Sequence, residues 1–281
     1  SNKMWSSFVK NYNRLHRTGP TVEGAVKIVE AANAVYPISN ASTILDVGCG
    51  GGHIVSHILE THGHQLPPAA RIIASDFVEG MVHLVREDQR NNIAQGKAVW
   101  ERLETAVLDA MDLSSFGDGE CSHVLAGFVY SGIPDSEKAL KEAHRVLRKD
   151  GAIALTNVKE AEWLDLLQVI KEVKPDLPEL PKIKSMSPTW YEDAGTRGHL
   201  ERAGFREIEV RQIPLKYEYE AYEVVGEKLF DSLPFMERWL GQMSEREIRR
   251  ARELVVERVR GMYPSEPFAL LGKATLAIGR K

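Results

Sequence analysis

Along residues 44–55 an apolar run, Ile44-Leu45-Asp46-Val47, gives way to a glycine turn, and Ile54, Val55, Ile58 and Leu59 then recur at helical spacing. Strand, glycine loop and helix in that order predict a βα unit with a ligand crevice beyond the strand's carboxyl end. Four glycines fall within the five positions 48–52, where the missing Cβ lets the backbone turn tightly and approach a ligand closely.

The same alternation continues along the chain. Ahead of the turn, Trp5, Phe8, Val9 and Tyr12 predict a short amphipathic helix. After the Gly19-Pro20 break, a second helix carries Val22, Ala25, Val26, Val29 and Ala32 on one face and stops near Tyr36-Pro37. Residues 62–70 form a loop and residues 71–76 a second strand, followed by a helix that buries Met81, Val82 and Val85. Residues 104–108 and 123–130 predict the third and fourth strands. A helix capped by Asp135 buries Ala139, Leu140, Ala143, Val146 and Leu147, stops at Lys149-Asp150-Gly151, and leads to a fifth strand over 152–158. Strands alternating with helices predict an α/β fold with a largely parallel sheet.

Beyond residue 158 the pattern loosens. A helix is expected over 160–170, Pro175, Pro178, Pro181 and Pro188 interrupt the next segment, and a helix over 189–203 ends at Gly204. Residues 205–213 alternate as a half-buried strand, and residues 273–279 form the last one. Between them an excursion over 214–267 concentrates aromatics, among them Tyr217, Tyr219, Tyr222, Phe230, Phe235, Trp239 and Tyr263. Ser244 and Glu247 form a capping box there, followed by Ile248, Ala251, Val255 and Met262 as one apolar stripe. Three regions are expected: a helical cap over 1–40, an α/β domain over 41–213 and 268–281, and a helical insertion over 214–267.

Composition narrows the chemistry. With 281 residues, 43% of them hydrophobic, the chain can build one elaborated domain with a sizeable core. A net charge of -4 argues against a nucleic-acid partner. Cys49 and Cys121 lack metal-ligand spacing, so no metal is expected. No apolar run reaches membrane-span length and no signal-peptide pattern opens the chain, so a cytoplasmic protein without a membrane partner is expected.

The glycine turn discriminates among ligands. A dinucleotide motif needs a third glycine where His53 stands, and no Lys-Ser or Lys-Thr follows for a triphosphate loop. Asp46-Val47-Gly48-Cys49-Gly50-Gly51-Gly52 instead resembles the first motif of the class I S-adenosylmethionine-dependent methyltransferases. Asp76-Phe77 with Met81, the segment Asp109-Ala110-Met111-Asp112-Leu113 with Phe116, and Arg145-Val146-Leu147-Arg148-Lys149-Asp150-Gly151 resemble three further motifs in order, with Asp150 at a more usual glycine.

The resemblance implies a Rossmann-like sheet of about seven strands, mostly parallel, with helical cap insertions. It also implies S-adenosylmethionine as cofactor and S-adenosylhomocysteine as product. Asp46, Gly48, Gly50 and Gly127 would lie near the donor, Asp76 on the ribose hydroxyls, and Phe77, Met81, Asp109 and Ala110 around the adenine. Tyr12, Phe128 and Tyr130, with Gly127, are the candidates for a constriction around the methyl group, and Tyr12 is also expected to bind the cofactor by closing over the donor from the amino-terminal helix. His16, His53, His144 and His199 are scattered and are expected to be surface or satisfied histidines, which leaves the catalytic base unassigned.

The chain also resembles the small-molecule methyltransferases of secondary metabolism, including those acting on reduced epidithiodiketopiperazines such as gliotoxin. The end of the fourth strand, residues 126–132, lacks the Asn/Asp-Pro-Pro-aromatic pattern that resembles amino-methylating enzymes of DNA and protein glutamine. Trp163, Trp190, Tyr191 and the aromatic excursion suggest a lid over a small apolar acceptor. A thiol, with a pKa of about 8.5, ionises without much help, so S-methylation of a dithiol is expected ahead of O- or N-methylation, the alternative of another class being a catalytically silent S-adenosylmethionine-binding protein. The expected assembly is a monomer or homodimer.

Overall fold

Strands β1 (Thr43–Val47), β2 (Arg71–Asp76), β3 (Leu103–Val107), β4 (Cys121–Gly127), β5 (Leu147–Ala161), β6 (Arg206–Tyr219) and β7 (Phe268–Arg280) join in one sheet of order β3-β2-β1-β4-β5-β7-β6. The first five are parallel and β7 runs antiparallel to both its neighbours. This computed structural model describes residues 5, 6, 8, 9, 12, 18–231 and 233–281; His16 lies outside the described residues.

The main helices are α1 (Pro20–Val35), α2 (His53–His62), α3 (Glu79–Ala94), α4 (Ser136–Val146), α5 (Pro188–Tyr191), α6 (Asp193–Arg202), α7 (Tyr222–Lys228) and α8 (Glu245–Met262). Every residue of β1 is buried, as befits a central parallel strand covered on both faces. Ile44 faces a core shared with Ile28, Val29, Ile54 and Ile58 of α1 and α2, whereas Leu45 faces one shared with Leu140, Val146 and Leu200 of α4 and α6. The strand order reverses between β1 and β4, so their carboxyl ends open the crevice that the glycine turn predicts.

Several boundaries differ from the sequence pattern, each for a physical reason. The buried face of α1 is Gly24, Ala25, Ile28, Val29, Ala31 and Ala32, with Val22 and Val26 only partly buried. Close packing sets that rotation: a Cβ on Gly24 would stand 2.9 Å from the Phe128 ring. Strand β4 stops at Gly127 rather than 130, because Phe128 takes a left-handed φ of 60° and Tyr130–Gly132 forms a 3-10 turn. Leu147 starts β5 instead of ending α4, and Asp150 holds a left-handed φ of 64° where glycine is more usual. The Asp150 carboxylate pairs with Arg206.

The strand expected over 205–213 runs on to Tyr219, so the helical part of the excursion begins at α7. Pro214 is tolerated within β6 because that strand is the sheet edge. The capping box of α8 is present, with Ser244 Oγ accepting from the Glu247 amide. Ala251, Val255 and Val259 form its buried stripe, while Met262 is exposed.

Candidate active site

Asp46, in β1, is 1% exposed, and neither carboxylate oxygen has a hydrogen-bond partner among the described residues. Burial, then the nearby charge of Asp76, holds its carboxyl well above the usual carboxylate range. Asp76 closes β2. Its Oδ2 accepts from the Gly50 amide at 3.0 Å and its Oδ1 from the Val78 amide at 2.9 Å. Those amides offset part of the upward push that burial gives its pKa. Among the described residues neither carboxylate pairs with a lysine or arginine.

The loop itself depends on glycine at two positions. Gly48 and Gly50 have φ of 65° and 51°, which L side chains rarely adopt. A Cβ would also stand 2.6 Å from Val129 Cγ2 at Gly48 and 2.5 Å from the Tyr12 hydroxyl oxygen at Gly50. The Cys49 amide donates to Ser75 O at 2.8 Å, and Ser75 Oγ donates to Asp46 O at 2.8 Å, so β1 and β2 are tied together just below the turn.

A cleft at this point joins Asp46, Gly48, Cys49, Gly127 and Phe128 to Thr21 and Ala25 of α1. His53 and Tyr12 also line it, their rings stacked at 6.4 Å. The Tyr12 hydroxyl stands against the loop at Gly50, and burial raises its pKa.

Of the residues singled out by sequence, Asp46, Gly48, Gly127, Phe128 and Tyr12 line this cleft, with Gly50 and Asp76 bounding its loop. Phe77 follows on the surface with its ring exposed, whereas Met81 is buried in the core beneath α3. Asp109 and Ala110 lie outside the cleft, although the Leu108 amide donates to Asp76 O at 3.0 Å and keeps that segment alongside. Asp109 Oδ1 accepts from the Met111 amide at 2.8 Å and so orders its own turn.

Tyr130 is not part of the cleft. The left-handed turn at Phe128 sends it to the other face of the sheet, where it stacks on Trp190 at 6.4 Å. His53 is not a surface residue, since it lines the cleft. His144 packs on Phe205 at 5.1 Å and His199 on Trp190 at 4.3 Å. Sequence reasoning missed Thr21, Ala25 and the thiol of Cys49 as cleft residues. Cys49 stood inside the motif, but Thr21 and Ala25 reach the site only through tertiary packing. Burial and the two carboxylates raise the Cys49 pKa well above its ordinary value, so this thiol stays neutral.

Two buried carboxylates without a cationic partner, behind a glycine turn, suit a ligand that is a cation carrying hydroxyls. S-adenosylmethionine, with its sulfonium, ammonium and ribose diol, is such a ligand. Residues 45–155 match the family model described as a methyltransferase domain. Over 276 residues the chain is 30% identical to Methyltransferase ucsB of an Acremonium species, covering 98% of this chain and 94% of that protein. The chain therefore belongs to the class I S-adenosylmethionine-dependent methyltransferases.

Among other relatives, the acetylaranotin bis-thiomethyltransferase of Aspergillus terreus is 26% identical over 204 residues, 71% of this chain and 66% of that one. The YcgJ protein from Bacillus subtilis shares the fold at a TM-score of 0.54 and 16% identity, over 92% of this chain and 98% of that one. Among the described residues no helix is long and apolar enough to cross a membrane, and no group of three or more His, Cys, Asp or Glu could hold a metal ion.

Proposed function

We propose that this methyltransferase transfers a methyl group from S-adenosylmethionine to a thiol of a small dithiol metabolite in the cytosol. The pair of unneutralised carboxylates, Asp46 and Asp76, carries the cofactor assignment. Asp46 takes the cationic methionine end and Asp76 the ribose hydroxyls, while Gly48 and Gly50 let the backbone close on the ligand. Phe77 lies against the adenine, and Asp109 and Ala110 border it. S-adenosylmethionine supplies a methyl group already activated on a sulfonium, so the chain contributes alignment. Gly127 and Phe128 flank the transfer path, and the helices after Tyr219 cover the acceptor.

The relative that acts as a bis-thiomethyltransferase supports the thiol assignment. A second reading, O-methylation, is favoured by His53, whose imidazole in the cleft could take a proton from a hydroxyl. Incubation with S-adenosylmethionine and reduced gliotoxin, catechol or a primary amine separates the two. Methylthio product is expected. Methylated catechol without methylated thiol would instead establish the second reading.

A further inference from the structure

On the face of the sheet away from the cleft, β5 carries Ile153 and Leu155 into the core and then Asn157. Asn157 is 2% exposed, and both its amide oxygen and its amide nitrogen lack a hydrogen-bond partner. Burying such a group unpaired is costly, so its retention calls for a partner. Its neighbours are not short of partners. Thr275 and Gln212 stand beside it across β7 and β6, and each donates to Asp193 at 3.2 Å. Lys159 donates to the same carboxylate at 2.8 Å. Within this polar row the Asn157 amide alone is left over.

Its position bears on the reaction. Thr156 pairs with Gly127, so Asn157 is level with Phe128, which lines the cleft. Tyr130, also without a partner for its hydroxyl and 1% exposed, occupies the same face and stacks under Trp190 of α5. Two unpaired buried polar side chains thus flank the carboxyl ends of β4 and β5 beneath residues 183–191. Hydrogen bonds from Ser187 Oγ to Ser131 O at 3.0 Å and from Trp190 Nε1 to Ser136 Oγ at 3.3 Å latch that cover.

We infer that Asn157 and Tyr130 are positioning residues for the part of the acceptor that does not react, which passes the end of β4 to this face when residues 183–191 lift, while the reacting group stays on the cleft side. A primary amide offers donors and an acceptor side by side. It therefore recognises an acceptor that bears a carbonyl next to an N–H or O–H, and Tyr130 adds a further donor. The inference rests on the methyl-transfer reading for what binds here, and it assigns the part of that molecule which does not react.

Calorimetry with the full chain loaded with S-adenosylhomocysteine tests it, using reduced gliotoxin, whose ring carries carbonyls, and dithiothreitol, which has none. Asn157→Leu should weaken reduced gliotoxin about tenfold and Tyr130→Phe about threefold, leaving dithiothreitol and S-adenosylhomocysteine unchanged. Removing an unpaired buried amide should also leave Tm unchanged or higher. Equal affinities in wild type and both variants, a parallel loss for dithiothreitol, or no binding of reduced gliotoxin to the wild type overturns the inference. A fall in Tm with unchanged affinity does so too, because it shows the amide satisfied within the fold. Binding that responds to both variants without methyl transfer sinks the proposed thiol chemistry and leaves this inference standing.

Discussion

The two halves of the sheet's carboxyl edge are built by different means. At β1 and β2 the strands are short, and three left-handed glycines and two carboxylates define the site within residues 46–76. At β5, β6 and β7 the strands are long, and the structure above them is held by distant pairs. Tyr263 donates to Glu162, Trp239 Nε1 donates to Pro178 O at 2.9 Å, and Arg258 pairs with Glu172 at 2.9 Å. The half proposed for the donor is thus specified by local backbone constraint, and the half proposed for the acceptor by tertiary packing. A family can keep the first fixed while the second changes with the acceptor.

The largest test of that contrast is Asp76→Ala. It removes the acceptor of two loop amides as well as the proposed ribose partner. S-adenosylmethionine affinity should fall roughly 100-fold by calorimetry, charge-assisted bonds being worth about 1.5–3 kcal/mol each. The β6–β7 strand pair and α8 should keep their hydrogen-exchange protection. Loss of protection there would mean that the halves are not independent.

A smaller effect is expected from pH. The folded Asp46 carboxyl lies above its unfolded value. Its contribution to stability is therefore present below the unfolded value and is lost as pH rises through the folded one. A bound cation lowers that pKa, so cofactor binding should release a proton and tighten with pH by up to about tenfold per unit until Asp46 is ionised. Titrations in two buffers of different ionisation enthalpy measure the proton. Asp46→Asn should abolish the pH dependence, and its persistence would move the proton to another group.

The smallest effect concerns Tyr12. Because its ring lines the cleft, Tyr12→Ala should raise the association rate for S-adenosylmethionine about threefold in stopped flow, roughly the 0.7 kcal/mol of a weak contact given up on opening. An unchanged rate would show that the ring does not gate entry.

How far the sequence could be read follows the same division. Asp46, Gly48, Gly50 and Asp76 were legible because a turn with positive φ and a strand-end acid leave a local signature. The apolar periods of α2 and β2 sufficed for their extents, since both bury one regular face or run. The fate of Tyr130 was not legible. It depends on a single left-handed residue, Phe128, that no glycine or asparagine announces. The continuation of β6 through Pro214 was hidden because only an edge position makes that proline acceptable. Asn157 carried no motif, and only its burial without a partner marks it.

The most direct test of the central claim, that this cleft is a methyl-donor site, is a calorimetric titration of the full chain with S-adenosylmethionine and, separately, with NAD. One S-adenosylmethionine site per chain is expected, with proton release and no binding of NAD. NAD binding without S-adenosylmethionine binding, or binding of S-adenosylmethionine that Asp76→Ala leaves untouched, would contradict it.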